Sequence, residues 1–279
     1  MLSTMNTKAI PGFLIGFSLA FSGLSGLRAQ EKPNSKPESA APADAEQEKL
    51  GDENADWLEY YYKDPTPEKF VEKMKIFSAD GTLSDDHARP ALIGFISQVV
   101  RQNRDRVEEW YRQLSGLPAQ DRKTIHTGLL FSRTKEADEI LKKRFGPQFD
   151  DLKANTPKVL ELPLDRNETM DMLWGYFYAT GSESAIRRMI YAFRFDKAPD
   201  DPEGVEIPEG FRPLYKELPS ATLEMIVSNA RRHPKILEIC KKIYKEDKTL
   251  ILGEKEWLYD LLSRIDPKAY PPRPAKDEA

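Results

Sequence analysis

Glu183 is the carboxylate in this chain whose setting most invites chemistry. It stands in Gly181-Ser182-Glu183-Ser184, where an apolar-periodic stretch begins. A glutamate shielded from water beside a sugar substrate can protonate a glycosidic oxygen. The same position has a plainer use, because a carboxylate in the first turn of a helix is favoured by the helix dipole. Asp165 and Asp171 are available as partners in a carboxylate pair, and each also lies near a helix start. The three histidines, His87, His126 and His233, are far apart, and none has a second ligand at metal-binding spacing. Ser84-Asp85-Asp86-His87 contains the residue types of a nucleophile, an orienter and a base. Residues so close within one helical turn do not reach that geometry, and helix capping is the simpler use. Cys240 lies between Leu237 and Tyr244 at helical spacing, which assigns it a buried apolar role. With no His-Glu-x-x-His, Walker A loop, dinucleotide-binding glycine pattern or Gly-x-Ser-x-Gly elbow, no metal and no organic cofactor is expected.

The remaining candidates are binding residues. Arg187-Arg188, Arg231-Arg232 and Lys241-Lys242 lie beside or opposite apolar stripes, and Tyr176, Tyr191 and Phe195 fall off the main stripe of their region. Solvated helix faces and core packing account for such residues in the ordinary case. On a stack of helices they instead form a concave surface for an acidic peptide or an anionic glycan. The partner-binding set read from the sequence is therefore Tyr176, Arg187, Arg188, Tyr191, Arg231 and Arg232.

These residues are carried by helices. From Glu168 to Phe195 the sequence reads as two helices joined by Ala179-Thr180-Gly181-Ser182. Met170, Leu173, Trp174, Phe177 and Tyr178 follow i, i+3, i+4, i+7 and i+8, and Gly175 and Ala179 leave room for a second helix on another face. Gly181 supplies a left-handed end, and Ser182 or Ser184 caps the next helix, with Ile186, Ile190 and Phe193 inward. Ahead of this hairpin, Thr66-Pro67 opens a helix with Phe70, Val71, Met74 and Phe77 inside, ended by Gly81. Ser84 or Asp86 caps a second, which runs to about Asn103. A third carries Val107, Trp110 and Leu114, a fourth covers Ala119 to Ser132, and a fifth is capped by Thr134. Pro147 to Asn167 reads as a connector and Asp196 to Pro213 as a long acidic loop. Three more helices follow, ending at His233-Pro234, near Tyr244, and across Glu254 to Ile265. No segment reads as a strand.

The chain ends bear on location. Lys8 precedes a run from Ala9 to Gly26 that is apolar or small, and Leu27-Arg28-Ala29 follows it, so residues 1–29 read as a secretory signal peptide. The alternative is an uncleaved N-terminal membrane anchor, since the run is about long enough to span a bilayer. No cysteine stands directly after the cleavage site, which gives no support to a lipid anchor. Residues 30–56 carry eight acids and three bases and read as a disordered acidic linker. The whole chain has a net charge of −4. Without Lys8 and Arg28 it is −6, and −5 of that lies in the linker, so the folded region at 57–265 is near neutral. That balance speaks against a nucleic-acid partner. Residues 266–279, with four prolines, read as an extended, mobile tail.

Laying Asn103 on His233 aligns Ile93, Ile96, Val100, Val107, Trp110 and Leu114 with Leu223, Ile226, Ala230, Leu237, Cys240 and Tyr244. The shared unit is a helix, a tight corner and a helix. The expected fold is therefore all-α, stacked helical hairpins of α-solenoid type, with an irregular helical bundle as the alternative. The segments Tyr61-Tyr62-Lys63-Asp64-Pro65-Thr66-Pro67, Arg89-Pro90-Ala91-Leu92-Ile93-Gly94-Phe95 and Leu173-Trp174-Gly175-Tyr176-Phe177-Tyr178-Ala179-Thr180-Gly181 resemble a group of exported bacterial helical proteins. That resemblance implies an envelope setting and an all-α fold, and it carries no catalytic motif. Glu183 before Ser184 is also similar to the catalytic pair of lytic transglycosylases, but their downstream Gly-Leu-Met-Gln type signature is missing. The expectation is an exported, periplasmic helical scaffold that binds an envelope protein or glycan, with no stable membrane insertion after signal cleavage. The alternative is a cell-wall glycan hydrolase or lyase using Glu183.

Overall fold

The computed structural model describes residues 53–198 and 215–273. The signal-peptide reading and its membrane-anchor alternative lie outside the described residues, as do most of the acidic linker and most of the 196–213 loop. Among the described residues the chain is all-α, with twelve α-helices and no strand. No helix among them is long and apolar enough to cross a membrane.

The architecture is organised on α3 (Arg89–Gln102), in which every residue from Pro90 to Val100 is buried. It is buried because α5 (Ala119–Ser132) and α8 (Asn167–Thr180) both pack against it. The α3–α8 contact is backbone to backbone: a Cβ built on Gly175 would lie 1.8 Å from the Ala91 carbonyl oxygen, and one built on Gly94 would lie 2.1 Å from that of Met172. The small residues expected to admit a second helix at Gly175 do so. The predicted stripe Met170, Leu173, Trp174, Phe177 and Tyr178 is buried throughout.

From α3 the helices stack outward in both directions. On one side α5 pairs with α6 (Lys135–Phe145), which packs on α7 (Gln148–Ala154) and on α4 (Val107–Leu114), and α4 in turn packs on α2 (Phe70–Ala79). On the other side α8 packs on α9 (Glu183–Ile190), α9 on α11 (Pro234–Glu246), and α11 on α12 (Leu252–Ile265). A 3-10 segment, Tyr191–Lys197, continues α9, and α10 (Leu218–Arg232) closes over it, α11 and α12. The pairs α5–α6, α8–α9 and α10–α11 are sequence neighbours packed on each other as hairpins, whereas α3 packs chiefly on α5 and α8 rather than on α4, an all-α arrangement consistent with a solenoid-like stack or a bundle. The first helix, α1 (53–60), starts ahead of Trp57 and so takes in residues assigned from composition to the linker. It is anchored by buried Asn54, whose Oδ1 accepts from Lys73 Nζ at 2.5 Å, and by the mutual edge contacts of Trp57, Tyr61 and Phe95.

Several local stop signals act as expected. Gly181 takes φ +60° and its N–H donates to the Phe177 carbonyl at 2.6 Å. Ser182 Oγ accepts from Ser184 N, and Thr134 Oγ1 from Ala137 N. The two corners matched by sequence have similar backbone angles, φ −130° and ψ 53° at Asn103 against φ −124° and ψ 87° at His233.

Other details differ. Thr66 does not cap; its Oγ1 accepts from Trp57 Nε1 at 2.9 Å, and a 3-10 turn, Pro67–Lys69, precedes α2. Asp85, rather than Ser84 or Asp86, caps the approach to α3 by accepting from the N–H groups of His87 and Ala88. The connector contains α7, which buries only Phe149. The buried face of α11 is Ile236, Ile239, Cys240 and Ile243, so Leu237 and Tyr244 are displaced to its edge. In the tail, Asp266 pairs with Lys241 at 2.6 Å, Tyr270 packs on Tyr244 and Tyr259, and the Tyr259 hydroxyl donates to the Pro271 carbonyl at 2.8 Å.

Candidate functional site

Four of the predicted site residues come together in one place. Glu183, Arg187, Arg188 and Tyr191, with Leu160 and Ser184, line an open depression of about 500 Å³. The wall is α9 and the start of its 3-10 continuation, and Leu160 comes from a 3-10 turn at Val159–Glu161. The α9 hairpin phase puts Ile186, Met189 and Ile190 into the core, so Glu183, Arg187, Arg188 and Tyr191 face outward. Tyr176 lies apart on α8, partly buried against the core. Arg231 and Arg232 end α10, and Arg232 pairs there with Glu59.

The charges of the groove differ in their partners. Glu183 Oε2 accepts from Lys242 Nζ at 2.7 Å, with both side chains about half exposed. Arg187 is a clasp, only 22% exposed, donating through Nε to Asp247 (2.5 Å) and through Nη1 to Glu254 (3.1 Å). Glu254 is fully buried, and it also faces Arg194 Nε at 3.1 Å and accepts from Ile251 N at 2.9 Å. Hydrogen bonds from Thr249, aided by Arg187, hold the Asp247 carboxyl below the usual carboxylate range. Glu254 thus joins α9, its 3-10 continuation and the start of α12 in one network.

Among the described residues Arg188 has no carboxylate partner. Its Nη2 donates to the Leu162 carbonyl at 2.7 Å, its guanidinium lies 5.0 Å from the centre of the Tyr191 ring, and its Nε is buried without a bond. Burial pushes its pKa down, as expected for a cation with no counter-charge. Arg194 lies over the same Tyr191 ring at 4.4 Å. Among the described residues Glu183 is the only carboxylate lining this groove. Asp165 is paired with Arg166 at 2.8 Å, and Asp171 sits on α8 with its carboxyl pushed up to about 7, by burial first and then by Glu168. Neither lines the groove.

No protein family, curated protein or solved structure matches this chain.

A second cluster forms at the α10–α11 corner. His233 is fully buried among Tyr60, Tyr62, Phe177 and Tyr178, with ring centres 4.7 to 6.0 Å away. Its Nδ1 meets the Tyr62 hydroxyl at 3.3 Å, and its Nε2 faces Glu59 Oε2 at 4.0 Å. Burial, with Arg232 and Lys63 adding, lowers its pKa to about 4. The Tyr178 hydroxyl, donating to Asn229 Oδ1 at 3.1 Å, is raised by burial. This cluster fastens α1 and α8 to the corner. His126 is likewise buried, bonded to the Tyr111 hydroxyl at 3.1 Å, and His87 belongs to the cap of α3. Burial pushes the Cys240 thiol up to about 12, which keeps it protonated at neutral pH. Among the described residues no group of His, Cys, Asp or Glu could hold a metal ion.

Sequence reasoning missed Glu254 and Glu59. Glu254 accepts from the N–H of Ile251 three residues before it, but Ile251 has no side-chain oxygen to complete a capping box, so the sequence carries no cap signal there. Nothing local announces that arginines about 60 residues earlier converge on it.

Proposed function

We propose that this protein is an exported helical scaffold that binds a macromolecular partner of the bacterial envelope in the α9 groove, without catalysis. The carrying observation is Arg188: it lines an open groove, and unlike Glu183 and Arg187 beside it, it has no oppositely charged partner among the described residues. A half-buried, uncompensated cation is unfavourable in the free protein and favours an anionic group placed against it. The α9 wall is held by its buried Ile186, Met189 and Ile190 and by the Arg187–Glu254 pair to α12. Preorganised walls reduce the ordering cost of binding. Export is supported by the composition of residues 1–29.

The test is capture from envelope extract by immobilised residues 30–279. A partner retained by the natural chain and lost from Arg188→Gln supports the groove, and equal retention by both refutes it. A second reading, hydrolysis or lysis of cell-wall glycan, draws on the presence of Glu183 in the same groove. It requires a glycan-cleaving activity that Glu183→Gln abolishes while leaving the fold intact.

A further inference from the structure

We infer that the ligand of the α9 groove is an acidic peptide segment that seats a single carboxylate on Arg188 and rests an apolar neighbour against Leu160 and Tyr191. This inference rests on the groove being the binding site. The charges around the groove determine how many anionic groups it can take. Arg187 and Arg194 are balanced by Asp247 and Glu254, and Lys242 is balanced by Glu183. Among the described residues one positive charge is left, on Arg188, which matches one carboxylate and not a polyanion. Its Nε is sealed inside and one Nη2 hydrogen goes to the Leu162 carbonyl, which leaves the other Nη2 hydrogen and the Nη1 group, with no bond among the described residues, to donate to a ligand.

The aromatic residue argues in the same direction. Sugar rings are commonly received by stacking on an open aromatic face, but the guanidinium groups of Arg188 and Arg194 lie over Tyr191 at 5.0 and 4.4 Å. A glycan would have to displace a cation–π contact to stack there. A peptide needs only the ring edge and the Leu160 side chain for its apolar residue. The Glu183–Lys242 pair supplies one further acceptor and donor on the rim, suited to peptide N–H and C=O groups.

The experiment is fluorescence anisotropy with residues 30–279 and labelled seven-residue peptides of alanine and leucine, centred on either glutamate or glutamine, beside a labelled galacturonic acid oligosaccharide. The expected result is at least tenfold tighter binding of the glutamate peptide, a preference that disappears in Arg188→Gln and is kept in part by Arg188→Lys. Circular dichroism confirms that both variants retain full helicity. Equal binding of the two peptides, or a glutamate preference that survives Arg188→Gln, overturns the inference. Arg188-dependent binding of the oligosaccharide in place of the peptide overturns the peptide assignment but leaves the groove as the binding site. Failure of all probes at millimolar concentration overturns the carboxylate assignment, and cross-linking from Ser184 then decides separately whether the groove binds anything.

Discussion

Replacing Gly175 with alanine adds one methyl group at the point where α8 touches α3. That methyl carbon would lie 1.8 Å from the Ala91 carbonyl oxygen and 2.8 Å from both the Ala91 carbonyl carbon and the Phe95 nitrogen. Ordinary contact begins at 3.4 Å, so the two helices must separate by about 1.6 Å, and the atoms in the way are backbone that cannot rotate aside. A radial gap of about 1 Å already forfeits up to half of a dispersion contact. The separation also opens the packing of α3, which is buried along its length. Against this, alanine is favoured over glycine inside a helix by about 0.5–1 kcal/mol. The net expectation is a loss of about 3 kcal/mol, at the upper end for overpacking in a core. In a domain of this size that lowers Tm by about 6–12 °C. Urea unfolding followed by helicity measures it, with Gly253→Ala as the control. Gly253 lies in α12 with nothing near its Cβ position, so that change should be neutral or stabilising. If Gly175→Ala is as well tolerated as Gly253→Ala, the close α3–α8 contact is refuted.

Four further outcomes follow from the side chains. The His233 imidazole stays neutral as pH falls from 7.5 to 5 in an NMR titration, and a midpoint near 6.5 would contradict its burial. The unfolded chain binds that proton near pH 6.5 and the folded chain near 4. The His233 contribution is therefore complete above pH 6.5 and is lost toward pH 4, amounting to about 3 kcal/mol. Asp171 acts oppositely: its folded carboxyl holds a proton up to about pH 7, so its contribution falls as pH rises, and a direct titration separates the two. Glu254→Gln leaves Arg187 and Arg194 facing a buried site without its charge and costs about 3 kcal/mol in chemical denaturation. A loss below about 1 kcal/mol would show that the network contributes no more than a surface pair. Glu183→Gln breaks only a half-exposed pair with Lys242 and changes stability by less than about 1 kcal/mol. A larger loss would show that α9 depends on that pair.

Much of the fold was legible because helix stops are local. Gly181, Ser182, Thr134 and the bounds of α5 are read from a few adjacent residues, and the structure places them as expected. The α8 stripe was legible because five large apolar residues share one face. Helix α7 was missed because its seven residues bury a single side chain, too little for a periodic signal. On α11 the isoleucines at 236, 239 and 243 take the buried face, a competition between two apolar faces that periodicity does not resolve. For the site, the groove residues Glu183, Arg187, Arg188 and Tyr191 lie within nine residues of one helix and its continuation, so one helical face gathers them. Their division into paired and unpaired charges depends on Lys242, Asp247 and Glu254 from a different part of the chain, and only the tertiary structure brings these together.

Binding in the α9 groove is tested most directly by a photo-cross-linking residue at Ser184 in cells that produce the full chain, beside the same residue at exposed Gln120 on α5. The account predicts an adduct of discrete mass from position 184, diminished by Arg188→Gln, and none from position 120. No adduct from 184, or equal adducts from both positions, would contradict it.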